Sequence, residues 1–164
     1  MHDNSESNSG YVRFLNAVAE TAISYTPENG SILDFGCGKN AVLAGILSKK
    51  GVQSDSYDPL FGYYIDFSEK KYDTIILCEV IEHIRNLHDE ISLIQKLLKL
   101  DSNVIIRTQQ HPSLELFPQW WYRQDSTHIN FFSDRALEYL AALINRACVH
   151  TQYKDIFVLT PVQG

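Results

Sequence analysis

Apolar positions along this chain fall into two periods. Between Tyr11 and Tyr25 they recur every three or four residues, at Val12, Leu15, Val18, Ala19, Ala22 and Ile23. That spacing predicts a helix over 11–25, which Pro27-Glu28-Asn29-Gly30 stops. Ile32-Leu33-Asp34-Phe35 is a short continuous run and predicts a buried strand. A second helix is expected over 41–50, with Val42, Leu43, Ile46 and Leu47 on one side and Gly51 beyond its end. Residues 52–57 read as the next strand, closed by Asp58-Pro59, and a further short strand is expected over 63–67.

The run YDTIILC over 72–78 predicts a fully buried strand. Residues 82–100 predict one or two helices, with Ile91, Ile94, Leu97 and Leu98 facing a core, and 103–108 another strand. Residues 109–132 show no period and hold Trp120, Trp121 and Tyr122 in a row; connections this long in compact domains are usually functional. Ser133 is placed to cap a helix running to 147, and 149–154 and 156–160 predict two closing strands spaced as a hairpin. Strands alternate with helices until that hairpin. The pattern implies an α/β fold: a doubly wound, mostly parallel sheet, helices on both faces, an antiparallel C-terminal edge strand and a shortened third-strand region.

Composition narrows this little. The 164 residues suit one domain, expected over 10–164 behind a disordered tail at 1–9. Formal net charge is −6, with no basic surface for a phosphate backbone, which argues against a nucleic-acid partner. Cys37, Cys78 and Cys148 are too few and too irregular for a disulfide framework or a CxxC metal site. The opening segment has neither a basic nor an apolar leader, and no apolar run is long enough to cross a bilayer, so a cytoplasmic protein without membrane contact is expected. Oligomeric state is not legible.

The chemistry starts at Ser31-Ile-Leu-Asp-Phe-Gly-Cys-Gly-Lys-Asn40. A strand, a glycine turn and a helix put backbone N–H groups where an anionic group can sit. Asp58, twenty residues after Gly38, ends the next strand, where a carboxylate can accept from a ribose diol. Gly36, Gly38 and Ala41 fit the relaxed dinucleotide spacing, so a nicotinamide-dependent Rossmann oxidoreductase stays open. Charge favours another ligand. Asp34 would oppose a pyrophosphate and attract an ammonium, and S-adenosylmethionine carries an ammonium, a sulfonium and a carboxylate but no phosphate.

Asp34-Phe35-Gly36-Cys37-Gly38 resembles the first motif of class I S-adenosylmethionine-dependent methyltransferases. Asp58 falls at that family's ribose acid, and 72–84 looks like its fourth strand and following helix start. The resemblance covers about residues 30 to 160 and implies a Rossmann-like methyltransferase using S-adenosyl-L-methionine and releasing S-adenosyl-L-homocysteine. It implies cofactor contacts from Asp34, Phe35, Gly36, Cys37, Gly38, Asp58, Pro59, Cys78 and Glu79, with Asp66 as the acid near adenine. Asn40 stands where the family usually has glycine, and the stretch between Asp58 and Asp73 is short for a helix and a strand. A non-catalytic S-adenosylmethionine-binding module is the second alternative.

WWYRQDSTHINFFS, from Trp120 to Ser133, resembles a loop of small bacterial methyltransferases of unassigned substrate. Asp125, Thr127 and His128 would line an acceptor pocket walled by the aromatics. His128 with Asp125 would take a proton from an acceptor hydroxyl or amine; otherwise the pair pins the loop and the tryptophans are core. Glu79-x-x-Glu82-His83 together with His128 makes two carboxylates and two imidazoles, a workable divalent-metal set. The same motif also stabilises a helix start in metal-free methyltransferases, and no metal is expected on that ground. No N/D-P-P-Y-type motif follows Cys78, which argues against adenine-base methylation and leaves a small molecule or a protein side chain as acceptor.

Overall fold

The computed structural model describes residues 9–162. The tail expected at 1–9 lies outside them except for Ser9, which opens the first helix. Among the described residues six strands form one sheet: β1 (Ile32–Phe35), β2 (Ser54–Tyr57), β3 (Tyr72–Cys78), β4 (Leu98–Arg107), β5 (Arg146–His150) and β6 (Ile156–Pro161), in the order β2-β1-β3-β4-β6-β5. The first four run parallel. β6 lies antiparallel to β4, and β5 pairs antiparallel with β6 at the edge. The sheet is the mostly parallel one expected, with its antiparallel side made by the C-terminal hairpin.

Among the described residues four α-helices cover it: α1 (Ser9–Ser24), α2 (Val42–Lys49), α3 (Leu87–Leu97) and α4 (Asp134–Leu143). Strand residues alternate between the faces, and the two cores follow that parity. Ile32, Ile76, Ile105 and Val158 pack with Leu15, Val18 and Ala22 of α1 and with Val42, Ile46 and Leu47 of α2. Leu33, Ile75, Leu77, Val104, Ile106 and Phe157 pack on the other face with Ile91 and Ile94 of α3 and Leu137 and Leu140 of α4. The register Ile75↔Val104 and Ile76↔Ile105 keeps those rows aligned, since a one-residue slip would turn every side chain to the wrong face.

Several boundaries differ from the sequence-based expectation. The strand expected over 63–67 is absent. Asp58 caps a short 3-10 turn, Pro59–Phe61, and closes an isolated bridge to Tyr63, so β2 is left as the sheet's edge. β4 begins at Leu98, five residues earlier than expected, because α3 ends where the chain turns straight into the sheet. The expected helix to 147 stops at Leu143, and Asn145 takes a left-handed turn into β5. Pairing of 146–150 with β6 outweighs helix propensity there.

Candidate active site

A cavity of about 890 Å³ opens along the C-terminal ends of the parallel strands. Asp34, Phe35, Gly36, Cys37, Gly38, Asp58, Pro59, Cys78, Glu79, Asp125 and His128 all line it, so most of the expected site converges there. Two expected residues do not. Asp66 is exposed, accepts the N–H of Ser68 at 2.9 Å in a local turn, and does not line the cavity. Thr127 bonds Asp125 and lies outside the lining.

At one end stands the glycine turn. Gly36 and Gly38 have left-handed φ of 82° and 70°. A Cβ on Gly36 would meet Val80 at 2.5 Å, whereas one on Gly38 would meet nothing within 4 Å. The sequence suggested free N–H groups at the turn, but those of Gly36, Cys37 and Gly38 are taken. Gly36 and Cys37 donate to the Tyr57 carbonyl at 2.7 and 3.2 Å, and Gly38 donates to Asp58 at 3.0 Å. The other Asp58 oxygen accepts from Leu60 at 3.1 Å, which ties the end of β2 under the turn. Asp34 is 2% exposed, and its Oδ2 has no hydrogen-bond partner. Burial, and then the nearby Asp58, push its carboxyl up to about 7. Burial, and then Asp34 and Asp58, push the Cys37 thiol up to about 12, which favours its protonated form.

The opposite end is assembled from distant segments. Glu79 follows β3 with φ 56°, an uncommon conformation for a non-glycine residue. Its carboxylate pairs with Arg107 at the end of β4, and Arg107 also reaches Asp155 at 2.8 Å and stacks on Phe14 at 4.6 Å. Glu82 is fully buried in the short 3-10 turn Ile81–His83 and accepts from the Tyr122 hydroxyl. Burial, and then Glu79, raise its carboxyl to about 7. Ile129 and Asn130 donate their N–H groups to the Glu82 carbonyl, and the Asn130 side chain bridges the carbonyls of Ile81 and Ile84 at 3.0 and 2.7 Å. These bonds pin the 120–132 loop on the 79–84 turn.

Two imidazoles face each other there, ring centres 4.7 Å apart. His83 Nδ1 lies 3.1 Å from the Thr127 carbonyl and His128 Nδ1 lies 2.7 Å from the Tyr122 carbonyl. A carbonyl only accepts, so each Nδ1 carries a proton, which leaves Nε2 as the ring nitrogen turned toward other partners. Burial, and then His128, hold His83 below the ordinary histidine range. Asp125 stands 3.9 Å from His128 Nε2, and bonds from Thr127 keep its carboxylate ionised. Of the two readings of the tryptophans, neither holds alone. Trp120 packs with Phe117 and Phe131, while Trp121 is 57% exposed and lines the cavity.

Sequence reasoning missed Arg107, Tyr11 and Phe14, which also line this cavity. Arg107 had a signal, a lone cation at the end of an apolar strand. The α1 aromatics had none, because their position over the strand ends exists only after packing.

A family model described as "Methyltransferase domain" matches residues 8–151. No curated protein matches the sequence. Among solved structures, the Burkholderia thailandensis 1,6-didemethyltoxoflavin-N1-methyltransferase with bound 1,6-didemethyltoxoflavin and S-adenosylhomocysteine aligns at TM-score 0.67 and 13% identity, covering 96% of this chain and 80% of that one. Streptomyces venezuelae DesVI aligns at 0.68 and 12%, covering 95% and 94%. A SAM-dependent methyltransferase from Archaeoglobus fulgidus aligns at 0.62 and 19%, covering 82% and 68%. At these identities the likeness is one of fold.

Proposed function

The chain belongs to the methyltransferase-domain family, and from that premise we propose that it transfers the methyl group of S-adenosyl-L-methionine to an oxygen or nitrogen of a small-molecule acceptor. Residues 10–164 act in this reading as one cytoplasmic domain. No helix among the described residues is long and apolar enough to cross a membrane. The observation that carries the donor is the unpartnered, buried Oδ2 of Asp34 in the cavity wall. A buried carboxylate without a cation is costly, and a ligand ammonium supplies one. With Asp58 beside it, the same charge repels a pyrophosphate and disfavours the nicotinamide reading.

Asp34 takes the ammonium, Asp58 the ribose, and the wall of Pro59, Leu60 and Tyr57 the adenine. Phe35, Cys78 and Glu79 border the methionine end. Methyl transfer from a sulfonium is an in-line displacement: the acceptor lone pair forms the new bond as the carbon–sulfur bond breaks and its electrons go to sulfur. The donor is already activated, so the protein aligns the reactants and excludes water, which contributes on the order of 7–11 kcal/mol. In this reading His128 and Asp125 stand at the acceptor end, and the His128 Nε2 lone pair takes the acceptor's proton. Trp121 walls that end, which suits a flat or apolar acceptor.

Calorimetric titration with S-adenosylhomocysteine tests the donor. Micromolar affinity, about −8 kcal/mol, lost on Asp34→Asn, supports the reading. No heat at millimolar ligand, or tight NADH binding instead, overturns it.

A further inference from the structure

We propose that Glu90 reads the adenine of the donor: its carboxylate accepts from the exocyclic amino group, so the cavity selects an amino-purine. This deepens the reading of the cavity as an S-adenosyl-L-methionine site and rests on it.

The acid expected near adenine was Asp66, carried by a strand beyond Asp58. That strand is absent, and Asp66 is exposed and outside the cavity. From the 59–71 segment only Pro59, Leu60 and Phe61 reach the lining, so the segment brings no carboxylate to the wall where the base would lie. Helix α3 brings one instead, since Glu90 lines the cavity. The other carboxylates there are engaged. Asp34 is assigned to the ammonium, Asp58 is tied to the glycine turn, and Glu79 and Asp125 stand at the opposite end beside Arg107 and His128.

Three observations point to the base. First, Glu90 is near the adenine wall. Tyr57 ends β2 next to Asp58, and burial, then Glu90, then Asp58 raise its phenol, so the fields of both acids reach it. Its ring is fixed by Phe35 and Phe67, ring centres 5.0 and 4.9 Å away, and Val80 and Ile84 add apolar lining. Flat walls with one polar group at the edge suit a purine. Second, the Glu90 carboxylate lacks a donor. Its neighbour Asp89 is held by the Asn86 side chain and lies 3.6 Å from His88. Among the described residues nothing donates to the side chain of Glu90, although it is half-buried. Burial, and then Asp89, raise its carboxyl. Third, the helix turns it inward. Asn86 caps α3, and Leu87, Ile91 and Ile94 pack on the core. Glu90 follows Leu87 by three residues and precedes Ile94 by four, which puts it on that stripe one turn from the helix start, where it meets the cavity.

An ionised carboxylate accepts and cannot donate. The ring nitrogens of adenine also accept, so the amino N–H is the one group of the base that Glu90 can take. A base without it leaves a half-buried carboxylate unpaired. The contact is specific to the donor and makes no demand on the acceptor.

The test is calorimetric titration of the full-length protein with S-adenosylhomocysteine and with its 6-deamino analogue, which carries hydrogen in place of the amino group. The unaltered protein is expected to bind the amino form about ten- to a hundredfold more tightly. In Glu90→Ala the two ligands bind alike, near the affinity that the unaltered protein has for the analogue. In Glu90→Gln, whose amide oxygen still accepts, part of the preference returns. Asp66→Ala keeps all of it. A preference that survives Glu90→Ala, loss of both ligands in that variant, or equal binding of the two by the unaltered protein overturns the assignment and leaves the donor reading standing. Failure of the unaltered protein to bind S-adenosylhomocysteine removes the donor reading and this inference with it.

Discussion

The two ends of the cavity are built in opposite ways. The cradle is local: Asp34, the glycine turn and Asp58 are joined by one strand–helix–strand unit, and its bond from Gly38 to Asp58 spans 20 residues. The opposite end, which we propose takes the acceptor, is not. Glu82 and Tyr122 are 40 residues apart, and Asn130 reaches back 49 residues to Ile81. The cradle is held by bonds from the backbone N–H groups of the turn itself. The acceptor end is held by side chains of a loop, the part of a fold that varies and carries specificity.

If that contrast is right, substitutions at the two ends separate. The largest effect is expected at the turn. Gly36→Ala combines a left-handed φ with a clash against Val80 and costs roughly 2–5 kcal/mol in denaturant unfolding. Gly38→Ala meets open space and costs only about 1–2 kcal/mol. Equal losses would contradict the packing of the turn on Val80.

Asp34→Asn should weaken S-adenosylhomocysteine about a hundredfold, on the order of 3 kcal/mol, yet stabilise the ligand-free protein. Its carboxyl, raised from 3.8 to about 7 by burial and Asp58, is favoured in its protonated form by folding. Between those values the folded chain keeps a proton that the unfolded chain has lost. Ligand-free stability therefore falls as pH rises through that window and is level above it with respect to this group. The Asn variant loses that slope, which thermal melts at pH 5 and pH 8 would read.

Tyr122→Phe removes the hydroxyl that Glu82 and Glu79 accept from, and costs about 1–3 kcal/mol. Methyl transfer should fall with S-adenosylhomocysteine affinity intact. A loss of cofactor affinity instead would show that the two ends are coupled. The smallest effect is at Asp66: Asp66→Ala should leave S-adenosylhomocysteine affinity unchanged, because the residue is exposed and outside the cavity.

The legible part of the site is its contiguous part. Asp34, Gly36, Gly38 and Asp58 were readable because a strand, a tight turn and the next strand end impose their order and spacing. Asp66 stands outside the cavity lining because the short 59–71 segment forms turns instead of the expected strand. His128 and Asp125 were read as a pair from residue type in a long loop, but the bond of His128 Nδ1 to the Tyr122 carbonyl was not legible.

The sequence alone determined the alternating elements, both apolar faces of β3 and β4 and the acid–glycine turn, since each depends on periodicity and local backbone geometry. Tertiary structure decided which N–H groups the turn keeps, that Arg107 and the α1 aromatics join the cavity, and that two distant imidazoles converge on one buried carboxylate. Those outcomes depend on how the 79–84 turn and the 120–132 loop pack, and no local period encodes a contact across 40 residues.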